Sequence, residues 1–178
     1  LPGLAPVTMD QFWDTAVLEQ HGLDQIPAAY TLRGRAQILH QAQEIQRTLA
    51  KNQEGPDWLT GFSDWYAAAY VAEWGHFAQA FSAAVDWQRN EDQWREITGR
   101  MAEPDNPYLM LLAIMGDQLT PYANRPGNPD WVAPVMQFHA MRQEALAPKK
   151  VAIEEKVTAD IDDMSNFFNA LSAFIAKK

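Results

Sequence analysis

The sequence predicts an all-α fold, a multi-helix bundle of about six to seven helices with little or no sheet. Three observations carry that prediction. Apolar residues recur at steps of three and four along nearly the whole chain. No run alternates apolar and polar residues convincingly, as a half-buried strand would. Residues that start or stop helices, among them Thr8, Gly22, Thr31, Asn106, Pro107 and Pro121, stand at the ends of the periodic stretches.

Taken in order, Thr8 is the expected N-cap of a first helix, with Gln11 three residues on in a capping-box arrangement. Gly22 closes it, and "GLDQIPAAY" is a linker in which Pro27 holds Ile26 extended. Thr31 then caps a second helix reaching about Asn52, with Leu32, Ala36, Leu39, Ala42, Ile45 and Leu49 as its apolar face. After the break at "EGPDW" a long helix runs from roughly Asp57 to Trp87. Asn90, Glu91 and Asp92 open a short one, because acids favour the positive end of a helix dipole. Asn106 caps the next helix and Pro107 takes its first position. Its centre, "YLMLLAIM", is apolar all round, which predicts a buried rod ending at Pro121. "TPYANRPGNPDWVAP", with four prolines, reads as an ordered loop. The last helix spaces Val157, Ile161, Met164, Phe168, Leu171 and Ile175 by alternating fours and threes, a heptad seam. Its outer face carries Glu154, Glu155, Asp160, Asp162 and Asp163. The expected division is a helical domain over 1–120, then a loop and C-terminal helical pair over 121–178, packed on it or forming a sub-bundle.

Composition narrows the function classes. At 178 residues, 47% apolar, with seven Trp, eight Phe and five Tyr, the chain has ample core material for a folded domain. A net charge of −9 without a concentrated basic patch disfavours nucleic-acid binding. The absence of cysteine excludes disulfides, zinc–thiolate sites and thiol nucleophiles. "YLMLLAIM" is far shorter than the roughly 20 apolar residues a membrane span needs, so a soluble piece is expected. The opening "LPGLAPV", without Met, leads us to expect a fragment or a processed product.

One stretch poses the functional question. In "YAAAYVAEWGHF", Glu73 and His76 stand at the E-x-x-H spacing with which helical bundles hold iron or manganese. Tyr66, Tyr70, Trp74 and Phe77 stand at i, i+4, i+8 and i+11, an aromatic stripe on one helical face. A di-iron site needs a second E-x-x-H helix. The residues three before His21, His40 and His139 are Leu18, Gln37 and Met136, and none is a carboxylate. The stripe is therefore read as a core seam, with no catalytic, cofactor-binding or metal residues assigned. No G-x-S-x-G elbow or P-loop occurs. "DIDDMS" lacks the Gly turn and terminal Glu of a calcium loop.

Four landmarks in order resemble one family. They are "IPAAYTLRGR" (Ile26 to Arg35), "DWL" (Asp57 to Leu59), "YAAAYVAEWGHFAQAF" with Tyr70, Trp74 and Phe77, and the Pro-led "NPYLMLLAIM". Together they are similar to the IcmF-related region of the IcmF/TssM family of type VI secretion inner-membrane proteins, over about residues 24 to 120. The resemblance implies a structural scaffold without cofactors: the periplasmic helical part of a bacterial inner-membrane protein. It implies an outer-membrane lipoprotein and a smaller inner-membrane protein as partners, or self-association. It does not extend to the family's transmembrane helices, its nucleotide-binding-like domain or its β-rich C-terminal part. Candidate interaction residues are Tyr30 and Thr31, which also read as an anchoring ring and a cap, and the acids Asp160, Asp162 and Asp163. Two other readings stand beside this one. An acidic adaptor would bind a basic partner through the last helix. A metal-dependent helical enzyme would use Glu73, His76 and a further ligand such as Glu19.

Overall fold

A computed structural model of the chain describes residues 3–13, 25–51, 58–86, 99 and 106–147. These residues are mostly helical, with four α-helices, three single 3-10 turns and one two-stranded sheet among them. Four is fewer than the six to seven helices expected. The helices expected near Asn90 and after residue 150 lie outside the described residues. The chain divides into two compact units, Leu1–Glu103 and Pro104–Lys178. The expected 1–120 segment takes in the first unit and the first helix of the second.

In the first unit, β1 (Val7–Thr8) pairs antiparallel with β2 (Gln25–Ile26), Val7 opposite Ile26 and Thr8 opposite Gln25. This corrects the helix expected from Thr8. Thr8 is extended in the ladder, and a single 3-10 turn, Met9–Gln11, follows it. Its side chain makes no cap bond, and the Gln11 amide donates to the Pro6 carbonyl instead of closing a capping box. The strand pairing satisfies backbone groups that a helix would have had to cap. Residues 14–24, where that helix would have continued to Gly22, lie outside the described residues. The turn has an apolar purpose: Met9, Phe12 and Trp13 are all buried, and Ile26 is buried beside them in sequence pairing.

Helix α1 (Leu32–Lys51) begins at Thr31 as the sequence predicts, but its covered face is rotated from the expected one. Gly34 and Ala42 are buried, with Ile38, Leu39, Gln46 and Leu49 half-buried. Leu32, Ala36 and Ile45 are exposed. At about 100° per residue, Ile38, Ala42 and Leu49 form one stripe, and Leu32 and Ala36 fall roughly 100° and 140° away from it. Helix α2 (Leu59–Asp86) starts where the Phe62 amide donates to the Trp58 carbonyl, and its 28 residues extend about 42 Å at 1.5 Å each.

In the second unit, α3 (Pro107–Leu119) is capped as its sequence dictates. The Asn106 side chain accepts from the Tyr108 amide at 2.9 Å, and Pro107 sits where a missing N–H costs nothing. Pro107, Leu111, Leu112, Met115, Gly116 and Leu119 are buried, whereas Leu109, Met110, Ala113 and Ile114 are half-buried. The apolar rod thus has one fully covered side. A 3-10 turn, Thr120–Tyr122, ends it at Pro121. In the loop that follows, Asn128 donates to the Tyr122 carbonyl at 2.7 Å, and Gly127 takes the left-handed φ of 78° that the reversal requires. The loop is shorter than expected, because α4 (Val132–Leu146) already contains Pro134. Proline is tolerated there since first-turn N–H groups have no intrahelical acceptor.

Helices α3 and α4 meet at a close contact. A Cβ on Gly116 would stand 2.6 Å from the His139 Cβ, so only glycine fits. His139 Nδ1 lies 3.4 Å from Asp117 Oδ1, and Arg142 lies 3.9 Å from the other carboxylate oxygen. We expect Gly116→Ala to destabilise this unit by about 1–3 kcal/mol through overpacking. Urea denaturation measures it, and in a double-mutant cycle with His139→Gly, which removes that Cβ, the added cost of Gly116→Ala is expected to shrink. A midpoint unchanged by Gly116→Ala would contradict the contact.

Candidate functional site

The most elaborated local structure in the first unit is the junction between the Ala28–Tyr30 turn and α2. The turn is a 3-10 element set up by Pro27, whose carbonyl accepts from the Tyr30 amide at 2.8 Å. A turn of this kind followed at once by a helix leaves backbone carbonyls and amides without regular partners. Here side chains supply them. The Thr31 hydroxyl donates to the Ala28 carbonyl at 2.9 Å and accepts from the Gly34 amide at 3.2 Å. The Tyr66 hydroxyl donates to the Ala29 carbonyl. The Trp74 indole Nε1 donates to the Tyr30 carbonyl at 2.9 Å. Three successive carbonyls therefore each accept from a different side chain, two of them from α2.

Aromatic packing holds the same junction. Tyr30 stacks on Tyr66, with ring centroids 5.8 Å apart, and meets Tyr70 edge-on at 6.3 Å. Phe62 also stacks on Tyr66, at 6.0 Å. One turn of helix separates Tyr66 from Tyr70 and Tyr70 from Trp74, so one face of α2 presents ring, ring and indole in register with the turn. Farther along, Phe77 and Phe81 receive Phe12, at 6.1 and 5.2 Å, and Trp13 lies 5.1 Å from Phe81. All four residues of the stripe, Tyr66, Tyr70, Trp74 and Phe77, are buried, and Trp74 and Tyr70 are completely so. Such ring pairs add about 0.5–1.5 kcal/mol each beyond area burial.

Gly34 completes the junction. A Cβ there would stand 1.8 Å from the Ala28 carbonyl oxygen, a backbone atom fixed by the Thr31 hydroxyl. Only glycine allows the first turn of α1 to lie this close to the Ala28–Tyr30 turn.

The candidate chemistry falls elsewhere. Glu73 is half-buried at the flank of the stripe, and His76 is exposed. Among the described residues no group of three His, Cys, Asp or Glu is placed to hold a metal ion. His40 is exposed, and His139 belongs to the second unit. Glu19, His21, Asp160, Asp162 and Asp163 lie outside the described residues. Thr31 is 8% exposed with its hydroxyl engaged on both sides, while Tyr30 is half-buried. Sequence reading did not anticipate the indole and phenol bonds to the Tyr30 and Ala29 carbonyls. The signal available for them was the amphipathic residue type: buried Tyr and Trp need a partner for O–H and N–H. No helix among the described residues is long and apolar enough to cross a membrane.

No family model matches the chain, and neither a curated protein nor a solved structure is significantly similar to it.

Substitutions at Gly34 and Trp74 read the junction directly, with Gly61 on the open side of α2 as the control. Gly34→Ala, despite the better helix propensity of alanine, is expected to destabilise the chain by at least about 1–3 kcal/mol. Gly61→Ala, where an added Cβ meets nothing within 4 Å, stabilises by about 0.5–1 kcal/mol. Opposite signs in thermal or urea melts are the expected result. Trp74→Phe keeps most of the ring but leaves the Tyr30 carbonyl without its donor, at a cost of about 1–3 kcal/mol. Trp74→Ala also opens a cavity and costs about 3–5 kcal/mol. A Trp74→Phe variant as stable as the parent would show that the indole bond contributes nothing.

Proposed function

We propose that this chain is a structural, non-enzymatic helical element, the periplasmic portion of the inner-membrane component of a type VI secretion membrane complex. The single observation that supports this most is how two of the family-like landmarks relate. "IPAAYTLRGR" and the Tyr70–Trp74–Phe77 helix, more than thirty residues apart in sequence, are the two halves of one buried contact. The first landmark is fastened to the second and packed closely on itself. Tyr30 meets Tyr66 and Tyr70, its carbonyl takes the Trp74 indole, and Gly34 makes room for the turn. Residues that together fasten one turn to one helix are what a scaffold needs. A part that transmits position must resist deformation, and a close-packed aromatic junction does so.

On this reading the partners are the outer-membrane lipoprotein and the smaller inner-membrane subunit of such a complex, or further copies of the chain. The role needs no cofactor. Tyr66, Tyr70, Trp74 and Phe77 act by holding the helix that partners would contact, and Trp65, 60% exposed on the outer side of α2, stands ready for such contact.

The test is assembly. The tagged full-length gene product, captured from detergent-solubilised membranes, is expected to bring down the lipoprotein and the smaller inner-membrane subunit. Trp74→Ala should reduce that recovery in parallel with its loss of stability. Failure of the unaltered protein to recover either subunit, or stoichiometric iron, manganese or zinc in the purified chain, would overturn the proposal.

A further inference from the structure

We infer that the Gln46 carboxamide and the Trp58 indole are the two halves of a latch, in which Trp58 Nε1 donates to Gln46 Oε1 and fastens α1 to the start of α2. Both atoms are closed off from solvent, and neither has a hydrogen-bond partner in the structure. They are complementary, since an indole N–H only donates and a carboxamide oxygen only accepts. Shielded from water, each costs free energy when left alone, and one bond between them removes both penalties. The latch is independent of any role in a secretion complex.

The register of α1 on α2 brings the two residues level. Bonds from Tyr66 and Trp74 hold the Ala28–Tyr30 turn beside Tyr70, and Gly34 seats the first turn of α1 against it. Helices α1 and α2 pack on each other, and the seven residues that connect them, 52–58, are few enough to set them antiparallel. Gln46 comes fourteen residues after Leu32, about 21 Å along α1, and Trp58 comes twelve before Tyr70, about 18 Å back along α2. They therefore arrive within about one turn of each other. Gln46 is half-buried one turn beyond the buried Ala42, whereas Gln43, Glu44, Arg47 and Thr48 around it are exposed, so it lies on the covered side of α1. Trp58 is held in place, because its carbonyl accepts from the Phe62 amide and its ring meets Phe62 edge-on at 5.6 Å. Only the Gln46 side chain, with its broad terminal torsion, has to turn for the bond to close. The α1–α2 pair is then fastened at both ends, by Tyr66 and Trp74 at one and by Trp58 at the other.

Indole hydrogen exchange on the full chain reads the latch, with the Trp58 signal assigned through Trp58→Phe. The Trp58 Nε1 proton is expected to exchange at least about tenfold more slowly than that of the exposed Trp65. Gln46→Leu keeps the bulk and removes the acceptor, so it is expected to abolish most of that difference. Protection unchanged by Gln46→Leu would come from burial alone and would overturn the inference, as would a Trp58 proton exchanging as fast as that of Trp65 in the unaltered chain. Urea melts give a second reading through a double-mutant cycle. The factor by which Trp58→Phe raises the unfolding equilibrium constant is expected to be about threefold or more smaller in the Gln46→Leu background than in the parent. Equal factors in the two backgrounds would equally refute it.

Discussion

The first unit depends on one constraint: three successive backbone carbonyls, those of Ala28, Ala29 and Tyr30, each take a side-chain donor, Ala28 in addition to the Thr31 amide. A carbonyl shielded from water that loses its donor costs about 1–3 kcal/mol, so the side-chain bonds to the Ala29 and Tyr30 carbonyls weigh most in the junction. Thr31, Tyr66 and Trp74 answer that requirement. Because the donors on α2 stand eight residues apart, about 12 Å along the axis, they determine both where the turn sits and how it is tilted. Everything adjacent follows from that placement. Tyr30 enters the ring stack, Gly34 must lack a Cβ, and α1 begins where the Thr31 hydroxyl leaves it.

This arrangement also explains why α2 can be apolar over most of its circumference. One side meets the turn through polar tips on aromatic bodies, and farther along the rings of Phe12 and Trp13 cover Phe77 and Phe81. The E-x-x-H pair lies at the margin of that packing, with His76 toward solvent. Aromatic residues here serve twice, as bulk for the core and as hydrogen-bond donors to backbone.

Much of this was legible in the sequence, for identifiable reasons. Thr31, Asn106, Pro107 and Pro121 act through local backbone chemistry, so each marks its helix end without help from the rest of the fold. The stripe at Tyr66, Tyr70, Trp74 and Phe77 was visible because its spacing is that of a helical face. Thr8 misled because a threonine with Gln three residues on fits a cap as well as a strand. Only the pairing of Val7 with Ile26, a contact between distant segments, decides between them. The face of α1 misled because Leu32 and Ala36 are apolar yet exposed, and periodicity alone does not say which neighbours arrive. Gly34 could be seen as a glycine in a helix, but its reason, a carbonyl 1.8 Å from any Cβ, exists only in three dimensions.

The claim that rings on α2 hold the turn in place, with their polar tips doing part of the holding, is tested most directly by amide exchange at Gly34. That amide donates to the Thr31 hydroxyl, one bond removed from the carbonyls in question. In a Tyr66→Phe/Trp74→Phe double variant the account predicts that Gly34 exchange accelerates relative to the Val71 amide in mid-α2. An increase of about tenfold or more corresponds to the loss of at least one net hydrogen bond. A ratio of the two rates unchanged from the parent would contradict the account.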